Sequence, residues 1–588
     1  MCAIIGALGV TLPREQVEHA RDSMTHRGPD DAGLYYDAKE GVALGHRRLS
    51  IIDLTQAGHQ PFVSNDGRFI IVYNGEVYNY VELKEELKGM YEFKTETDTE
   101  VLLAAYMAWG EKCLNRLNGM FAFAIWDKKE KKLFCARDRM GVKPFFYTVQ
   151  RNAFYFSSEI KGLHALGFGK APNERMIFDY LYYGLYDHTN ETFFSDIQKL
   201  PAGSYLLWEN GAITISSYWD LKNHGSLKGG DTQDAESLKG RFKELLADAI
   251  RIRFRSDVPV GINLSSGLDS NTLLYFSKKI LNQDLPSFSF CYEDERYNEC
   301  RSIEAHLNQA QRARWHTTSI SPETILTEAA RMNLVQGEPY GGIPTLAHDH
   351  LFRMAREKGV TVLLEGQGGD EILGGYSYYR HEYEKDRGGE PTQKRVAPSL
   401  YGQDASSLRR ANILNDDFVK KHEKNAIFFE APLDSHVQNA QYRDIAHTKL
   451  PRVLRFHDHM SMAYGTELRL PLLDYRLVEF CFSLPIQYKI NELSQKVLIR
   501  EAMGEYLPDI VGATEKKTFS SVQGDWFRKY HKEMILEILN SPSFKRRPYW
   551  NHEVLGRQVE DFWKGNQDNS FFIWQCVNLE LWFRAFID

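Results

Sequence analysis

"MCAIIGALGV" (residues 1–10) sets a cysteine directly behind the initiator methionine and ahead of an apolar run. Three readings compete: chance, a secretory leader, or a terminal nucleophile uncovered when Met1 is removed. With seven cysteines in 588 residues, chance stands until other residues decide. A leader needs a basic region before its apolar core, and nothing basic precedes Ala3–Val10. Removal of Met1 would give Cys2 a thiol and a free α-amine together. A terminal amine titrates near ~7.7–8, low enough to serve as a base near neutral pH. Chemistry of that design also needs an oxyanion donor and a grip on the substrate.

"YNGEVYNY" (73–80) supplies Asn74, with a side-chain amide donor, and Gly75, which lets a backbone N–H approach closely. "GHRRLSIIDL" (45–54) supplies Arg48, whose guanidinium fork matches a carboxylate, and "TETDTE" (95–100) supplies Asp98, suited to an ammonium group. Together these describe a clamp for the α-carbon end of an amino acid. Singly each has a plainer meaning: Asn-Gly is a common hairpin turn, Arg48 a solvated cation, Asp98 a helix N-cap.

The chain is too long for one core, so two or three domains are expected. Hydrophobic residues make up 43% and charged residues 26%, as in ordinary globular proteins, and the net charge of −7 offers nothing to nucleic acid or an anionic membrane. No run approaches eighteen uncharged apolar residues. The cysteines (2, 113, 135, 291, 300, 481 and 576) are odd in number, scattered and form no CxxC pair, which argues against a disulfide scaffold or structural zinc and for a reducing, cytoplasmic setting.

Strand-like runs such as "GRFIIVYNGEVYN" (67–79) and "GMFAFAIWDKKEKKLFCARD" (119–138) dominate the first ~210 residues, interrupted by helical patterns such as "DTEVLLAAYMAWGEKCLNRL" (98–117). The expected organisation is a first domain at 2–212, a linker at 213–236 and a second domain at 237–588. Leu238, Phe242, Leu245, Ala249 and Ile250 open the second domain as an amphipathic helix. "VPVGINL" (258–264) and "GVTVLLEG" (359–366) read as buried strands of a parallel α/β sheet, and 381–450 as a helical or loop insertion. "GINLSSGLDSN" (261–271) feeds a strand through a small-residue loop into a helix, the build of an anion site, without the Gly-Lys-Ser/Thr of a Walker loop.

In order, "MCAIIG", "HRGPDDAG", "GHRRLSIIDL", "QPF", "YNGEVYNY", "TDTE", "GMFAFAIWD" and "ARDRMGVKPFFY" resemble the glutaminase domain of class II glutamine amidotransferases. The 261–271 loop resembles a pyrophosphate-binding loop. With "GEPYGGIPTLAHDHLFRMAREKGVTVLLEGQGGDEILGGY" (337–376), "LPRVLRFHDHMSMAYGTELRLPLLDYRLVEF" (450–480) and "QKVLIREAM" (495–503), it is similar to the asparagine synthetase family. The resemblance implies an α+β N-terminal-nucleophile (αββα sandwich) domain joined to an α/β parallel-sheet PP-loop domain of adenine nucleotide alpha hydrolase type.

It further implies that Cys2 attacks the amide of glutamine. Arg48 would hold the substrate carboxylate, Asp98 and Glu76 its amine, and Asn74 with Gly75 the oxyanion. Ser265, Gly267, Asp269 and Ser270 would line the ATP phosphates, with Leu264, Phe290 and Gly366 near the adenosine. Asp269 and Asp370 would hold Mg²⁺, and Lys496 would offset charge on the leaving pyrophosphate, with Lys516 or Lys517 assisting. The implied partners are glutamine, ATP and a carboxylate acceptor, with a homodimer by resemblance. Aspartate is the expected acceptor; a sugar uronate or a biosynthetic acid is the alternative, and a glutaminase with an inactive nucleotide domain a third reading.

Two positions depart from the family pattern. Ser266 stands where a glycine is usual; a positive φ there would cost about 1–2 kcal/mol, and otherwise its hydroxyl is free to add a phosphate contact. "EGQGGDE" (365–371) replaces the usual SGEGADE, with Glu365 for serine and a neutral Gln367 for a glutamate tied to the acceptor or its proton traffic.

Overall fold

Side chains alternating across strands organise the first part of the chain. The structure, a computed structural model, describes residues 2–225, 234–393, 395–396, 412–424, 427–512, 522–566 and 568–588. Strands β1 (Ala3–Leu8), β2 (Asp31–Asp37), β3 (Val42–Arg48), β4 (Phe62–Val63), β5 (Phe69–Val77) and β6 (Gly119–Asp127) are followed by β7 (Lys132–Arg137), β8 (Phe146–Gln150), β9 (Ala153–Ser157), β10 (Gln198–Lys199), β11 (Ser204–Glu209) and β12 (Ala212–Ser217). They form two six-stranded antiparallel sheets, ordered β10-β8-β9-β1-β3-β2 and β12-β11-β7-β6-β5-β4.

In β6, Ala122, Ala124 and Trp126 face the other sheet, packing with Ile4, Leu8, Leu44 and Val72. Phe121, Phe123 and Ile125 point the opposite way, into the cluster that holds Val101, Leu102 and Ala105. Helices α1 (Arg14–Asp22), α2 (Tyr80–Glu86), α3 (Asp98–Trp109) and α4 (Ile160–Ala165) cover the outer faces, α2 and α3 on the β5 side and α1 and α4 on the β1 side. The result is a four-layer αββα arrangement. α5 (Glu174–Tyr183) leads toward the second domain, where its Tyr180 carbonyl accepts from Gln575 Nε2 at 2.5 Å.

The segment expected as linker from 213 begins inside β12, which pairs with β11 along its whole length. A polar turn (Leu221–His224) follows, and 226–233 lie outside the described residues. α6 (Ala235–Arg253), N-capped by Asp234, opens the second domain and buries Leu238, Phe242, Leu245, Ala249 and Ile250, the spacing read from the sequence.

Strands β13 (Val260–Asn263), β14 (Ser287–Phe290), β15 (Trp315–Thr318) and β16 (Val362–Leu364) are joined, beyond a two-stranded ladder of β17 (Arg395–Val396) and β18 (Phe429–Glu430), by β19 (Glu467–Arg469). β15-β14-β13-β16-β19 is one parallel sheet. α6 and α7 (Leu268–Leu281) pack with Ile262, Leu364 and Leu470, while Leu363 and Leu468 meet the helices Leu346–Glu357 and Leu450–Met462 on the other face. Residues read as an insertion include Tyr379–Gly388 and His436–Arg443, and Gln441 Nε2 donates to the carbonyls of Glu371 (2.8 Å) and Ile372 (3.0 Å), tying that segment to the sheet domain. Residues 397–411 lie outside the described set.

One sequence expectation is corrected. Cys291 and Cys300 are joined as a disulfide, with Cα atoms 5.7 Å apart. The end of β14 and the start of the helix Cys300–His306 both border the 261–271 loop, which brings together two cysteines that spacing alone left apart. Cysteine usage therefore no longer argues for a reducing compartment. Among the described residues no helix is long and apolar enough to cross a membrane.

Candidate active sites

Asn74 and Gly75 are not in a turn. They lie in the middle of β5, opposite Ala122 and Phe121, and a Cβ on Gly75 would sit 2.2 Å from the Met120 carbonyl oxygen. Only glycine lets the two strands run that close. Asn74 Oδ1 accepts from the backbone nitrogen of Cys2 at 3.0 Å, while its Nδ2 is buried without a hydrogen-bond partner among the described residues. An unsatisfied buried donor costs roughly 1–3 kcal/mol, so this amide N–H, on the residue that holds the Cys2 backbone nitrogen, is open to an acceptor on a ligand.

The Cys2 thiol is buried, and burial pushes its pKa up; the Leu49 backbone N–H and the Arg48 charge oppose that shift. The Cys2 carbonyl accepts from Arg27 Nε at 3.1 Å. Fully buried Arg27 also pairs with Glu159 (2.9 Å) and, across the domain border, with Asp458 (2.8 Å).

Asp98 is the first residue of α3, and Thr97, not Asp98, is the N-cap. Asp98 Oδ2 accepts from the Tyr73 hydroxyl and from the Val77 N–H, both at 2.9 Å. Burial dominates and pushes its carboxyl up to about 6. Glu76 is raised well above the usual carboxylate range by burial, then by the charges of Glu467 and Asp98. Its counter-ion is Arg469 at 3.6 Å, which also grips Glu467 at 2.6 Å. Burial and neighbouring carboxylate charge thus disfavour the ionised forms of Glu76 and Asp98, and a cation placed beside them would favour those forms.

Arg48, at the end of β3, turns its guanidinium onto the carbonyls of Thr55 (2.7 Å), Ile52 (3.2 Å) and Asp53. It lines a cleft of about 340 Å³ with Asp31, Leu49, Ser50 and Thr55.

The second constellation gathers at the carboxyl end of the parallel sheet. Ser265 N and Oγ contact the Ser270 hydroxyl at 3.2 and 3.0 Å, and Asn271 Nδ2 donates to the carbonyls of Ser265 and Gly267, which closes the 265–270 loop over the start of α7. Gly267 is the N-cap of α7. Ser266 has no positive φ, and its hydroxyl donates to Glu299 at 2.8 Å rather than pointing at the loop's interior. The Leu264 N–H is taken by the Phe288 carbonyl, and the Leu264 carbonyl by Ser289 Oγ. Phe290 ends β14, and Gly366 lies against Asp269.

Lys496 is not a surface charge. Its Nζ lies 2.6 Å from Asp269 Oδ2 and 2.7 Å from Asp370 Oδ1, all three side chains largely buried. Burial disfavours its charge, but the two carboxylates prevail and hold its pKa above the usual lysine value. Two glycines make room: a Cβ on Gly369 would meet Asp269 Oδ2 at 2.6 Å, and one on Gly375 would meet Asp370 Oδ1 at 2.1 Å. Asp269 Oδ1 is buried without a hydrogen-bond partner among the described residues, and its hard oxygen suits Mg²⁺. Lys516 and Lys517 fall outside the described residues.

Sequence reasoning missed Arg27, Asp458, Glu467 and Arg469, although "HRGPDDAG", "FHDHMSM" and "TELRLPLLD" contain them. Nothing in those strings says that they meet across the domain border. An apolar cluster of Leu49, Ile51, Tyr78, Met120, Ile252, Val362 and Met462 is drawn from both domains.

Comparison with known proteins gives two family matches along the chain. The glutamine amidotransferase domain family matches residues 1–219 and the asparagine synthase family residues 241–584. Asparagine synthetase [glutamine-hydrolyzing] 1 of Bacillus subtilis is 28% identical, covering 99% of this chain and 97% of its own. Asparagine synthetase [glutamine-hydrolyzing] 2 of the same organism is 32% identical, covering 93% and 75%. Amidase chry2 of Gibberella zeae is 27% identical, covering 87% and 86%.

Proposed function

This chain belongs to the asparagine synthase family, and from that premise we propose how its residues share out one reaction. The enzyme is a glutamine-hydrolysing asparagine synthetase: it transfers the amide nitrogen of glutamine to aspartate at the expense of ATP, releasing glutamate, AMP and pyrophosphate. The observation that carries the glutaminase half is the partnerless buried Nδ2 of Asn74, held beside Cys2 by the Cys2 N–H.

With Met1 removed, that N–H becomes the α-amine, and the amine takes the thiol proton as sulfur attacks the glutamine amide carbon. The oxyanion is stabilised by Asn74 Nδ2 and the Gly75 N–H. Asp98 and Glu76 take the substrate ammonium, and Arg48, beside the cleft, its carboxylate. Ammonia leaves the thioester as the amine returns its proton, and water releases glutamate.

The second half is a PP-loop domain. Ser265, Gly267, Asp269 and Ser270 bind the ATP phosphates, with Leu264, Phe290 and Gly366 near the adenosine. With ATP bound, Asp269 and Asp370 would hold Mg²⁺, which would screen phosphate charge. Lys496 meets charge developing on pyrophosphate as the aspartate carboxylate attacks the α-phosphorus. The apolar cluster around Met120 and Val362 keeps water from ammonia on its way between the sites. A cytoplasmic homodimer without nucleic-acid partners completes the proposal.

The test is incubation with glutamine, ATP, Mg²⁺ and a panel of acids while pyrophosphate is followed. Aspartate should give pyrophosphate and asparagine in equal amounts. If aspartate stays at background while another acid responds, the acceptor assignment falls and the amidation chemistry stands.

A further inference from the structure

Aminolysis of an acyl-adenylate must shed a proton from the attacking nitrogen, so some group in the synthetase site has to accept it. The site can be located from topology alone. In the sheet order β15-β14-β13-β16-β19 the direction of strand succession reverses between β13 and β16, and parallel sheets take their ligands in the crevice outside the carboxyl ends at that point. The residues there are Asn263, last in β13, and Glu365, next after β16. They are joined across the crevice by a short hydrogen bond from Asn263 Nδ2 to Glu365 Oε1.

Most acids and bases near this crevice are already engaged. Asp269 and Asp370 grip Lys496. Glu371 is turned to the Tyr376 hydroxyl at 2.7 Å. Gln367 is a neutral amide and takes no proton. Among the described residues there remains buried Glu365, whose second oxygen lies 2.9 Å from Nδ1 of His457, a buried residue on the helix Leu450–Met462. The ring of His348, from the first turn of the helix Leu346–Glu357, packs on His457 with centroids 4.6 Å apart. Burial holds His348 down to about 4, so this neighbour is neutral near pH 7 and adds no cation to the pair.

A carboxylate on Nδ1 fixes that nitrogen as the donor, leaves the lone pair on Nε2 and stabilises the imidazolium once a proton arrives. We infer that His457, positioned by Glu365 and Asn263, is the general base for amide formation in this chain. The inference rests on the amidotransferase reading above. The ammonia lone pair forms the C–N bond at the acyl carbon while the carbonyl π pair moves onto oxygen. His457 Nε2 takes one proton from that nitrogen. The oxygen pair re-forms the carbonyl as the C–O bond to phosphate breaks, and AMP leaves with the bonding pair. The imidazolium then returns its proton to water.

The test separates adenylate formation from its aminolysis. Acid-dependent exchange of labelled pyrophosphate into ATP reports the first, and amide formation from added ammonium reports the second. In His457→Ala, exchange should stay within about threefold of wild type, while amide formation falls by about 10²–10⁴, the usual contribution of a general base. Added imidazole should recover part of the loss. Glu365→Gln keeps the shape and the Asn263 contact and should show a smaller loss with the same split. Glutaminase activity, which depends on Cys2, reports an intact fold.

Equal losses of exchange and amide formation, or no loss of either, overturn the assignment. Should His457→Ala fail to retain glutaminase activity, Glu365→Gln alone decides, by the same split. The amidation reading is judged separately, by whether wild-type enzyme catalyses exchange with aspartate, and the variants are measured with whichever acid the wild type accepts.

Discussion

Replacing Lys496 with methionine removes one charge from between two carboxylates while keeping most of the side-chain volume. Nζ sits 2.6 and 2.7 Å from Asp269 and Asp370, whose side chains are only 16% and 15% exposed. Breaking a buried pair typically costs about 3–5 kcal/mol, because the abandoned charge stays behind, and here two are abandoned. They are also hard oxygen donors facing one another, so Lys496→Met should take up a divalent cation where the lysine had been. Linkage at 100 times Kd returns about 2.7 kcal/mol, much of the loss. In chelator the variant should therefore unfold at a clearly lower temperature than wild type, and Mg²⁺ should close most of the gap while moving the wild type little. Pyrophosphate release should drop by about 10²–10³, the effect of losing one positioned charge donor, with glutaminase activity intact. Thermal unfolding with and without Mg²⁺, beside pyrophosphate and glutamate assays, checks each part. A variant indifferent to Mg²⁺, or one losing both activities together, would refute the reasoning.

Three further outcomes are expected. Cys2→Ala should abolish glutamine use and spare synthesis from ammonium; loss of both would mean that the two sites do not work independently. Asp98 must be ionised to hold the substrate amine, and its folded pKa is raised to about 6 chiefly by burial. So kcat/KM for glutamine should carry an acid limb near pH 6 from Asp98, below the limb set by the α-amine base near ~7.7–8, and Asp98→Asn should lower kcat/KM and remove the lower limb. Because the raised pKa makes the ionised form the costly one above pH 6, Asp98→Asn should also unfold at a higher temperature than wild type at pH 8. Gly75→Ala places a methyl 2.2 Å from the Met120 oxygen and 2.7 Å from the Phe121 Cα, backbone atoms that cannot swing aside. A loss of about 1–3 kcal/mol is expected, with glutaminase activity lost before global unfolding, as read by chemical denaturation.

What the sequence made legible was local. Period-two runs in β5 and β6 and helical spacing in α6 marked their elements, because one buried face imposes its period on the residues that meet it. Cys2, Asn74, Asp98, Asp269 and Lys496 were singled out by motif, and the structure pairs Cys2 with Asn74 and Asp269 with Lys496. Asn74-Gly75, read alone, is a turn signal, and the structure sets it mid-strand: pairing across nine residues of β5 outweighs a dipeptide preference. The boundary at 212 suffered because β12 is mostly exposed and is held largely by its backbone ladder with β11, so its short Ala-Ile-Thr-Ile run buries little. The Cys291–Cys300 bond and the Glu365–His457 pair were hidden for another reason. Each joins residues whose proximity is decided by where a strand ends against a helix that comes later in the chain.

The same long-range logic bears on how two chemistries are kept in step. Glu76, proposed above to meet the glutamine amine, has its counter-ion on β19, the edge strand of the nucleotide-side sheet. Arg27 holds the Cys2 carbonyl with one nitrogen and Asp458 with another, and Asp458 follows His457 on its helix. Asn118 of the first domain donates to Asp474 of the second, which also carries Arg253. Every one of these groups is buried, so a shift of the helix Leu450–Met462 or of β19 by an ångström would strand a charge at low dielectric, at a cost of several kcal/mol. The domain border therefore behaves as one body with two well-defined ends. A rearrangement on the nucleotide side has a direct mechanical line, through Asp458 and Arg27, to the carbonyl of the nucleophile itself.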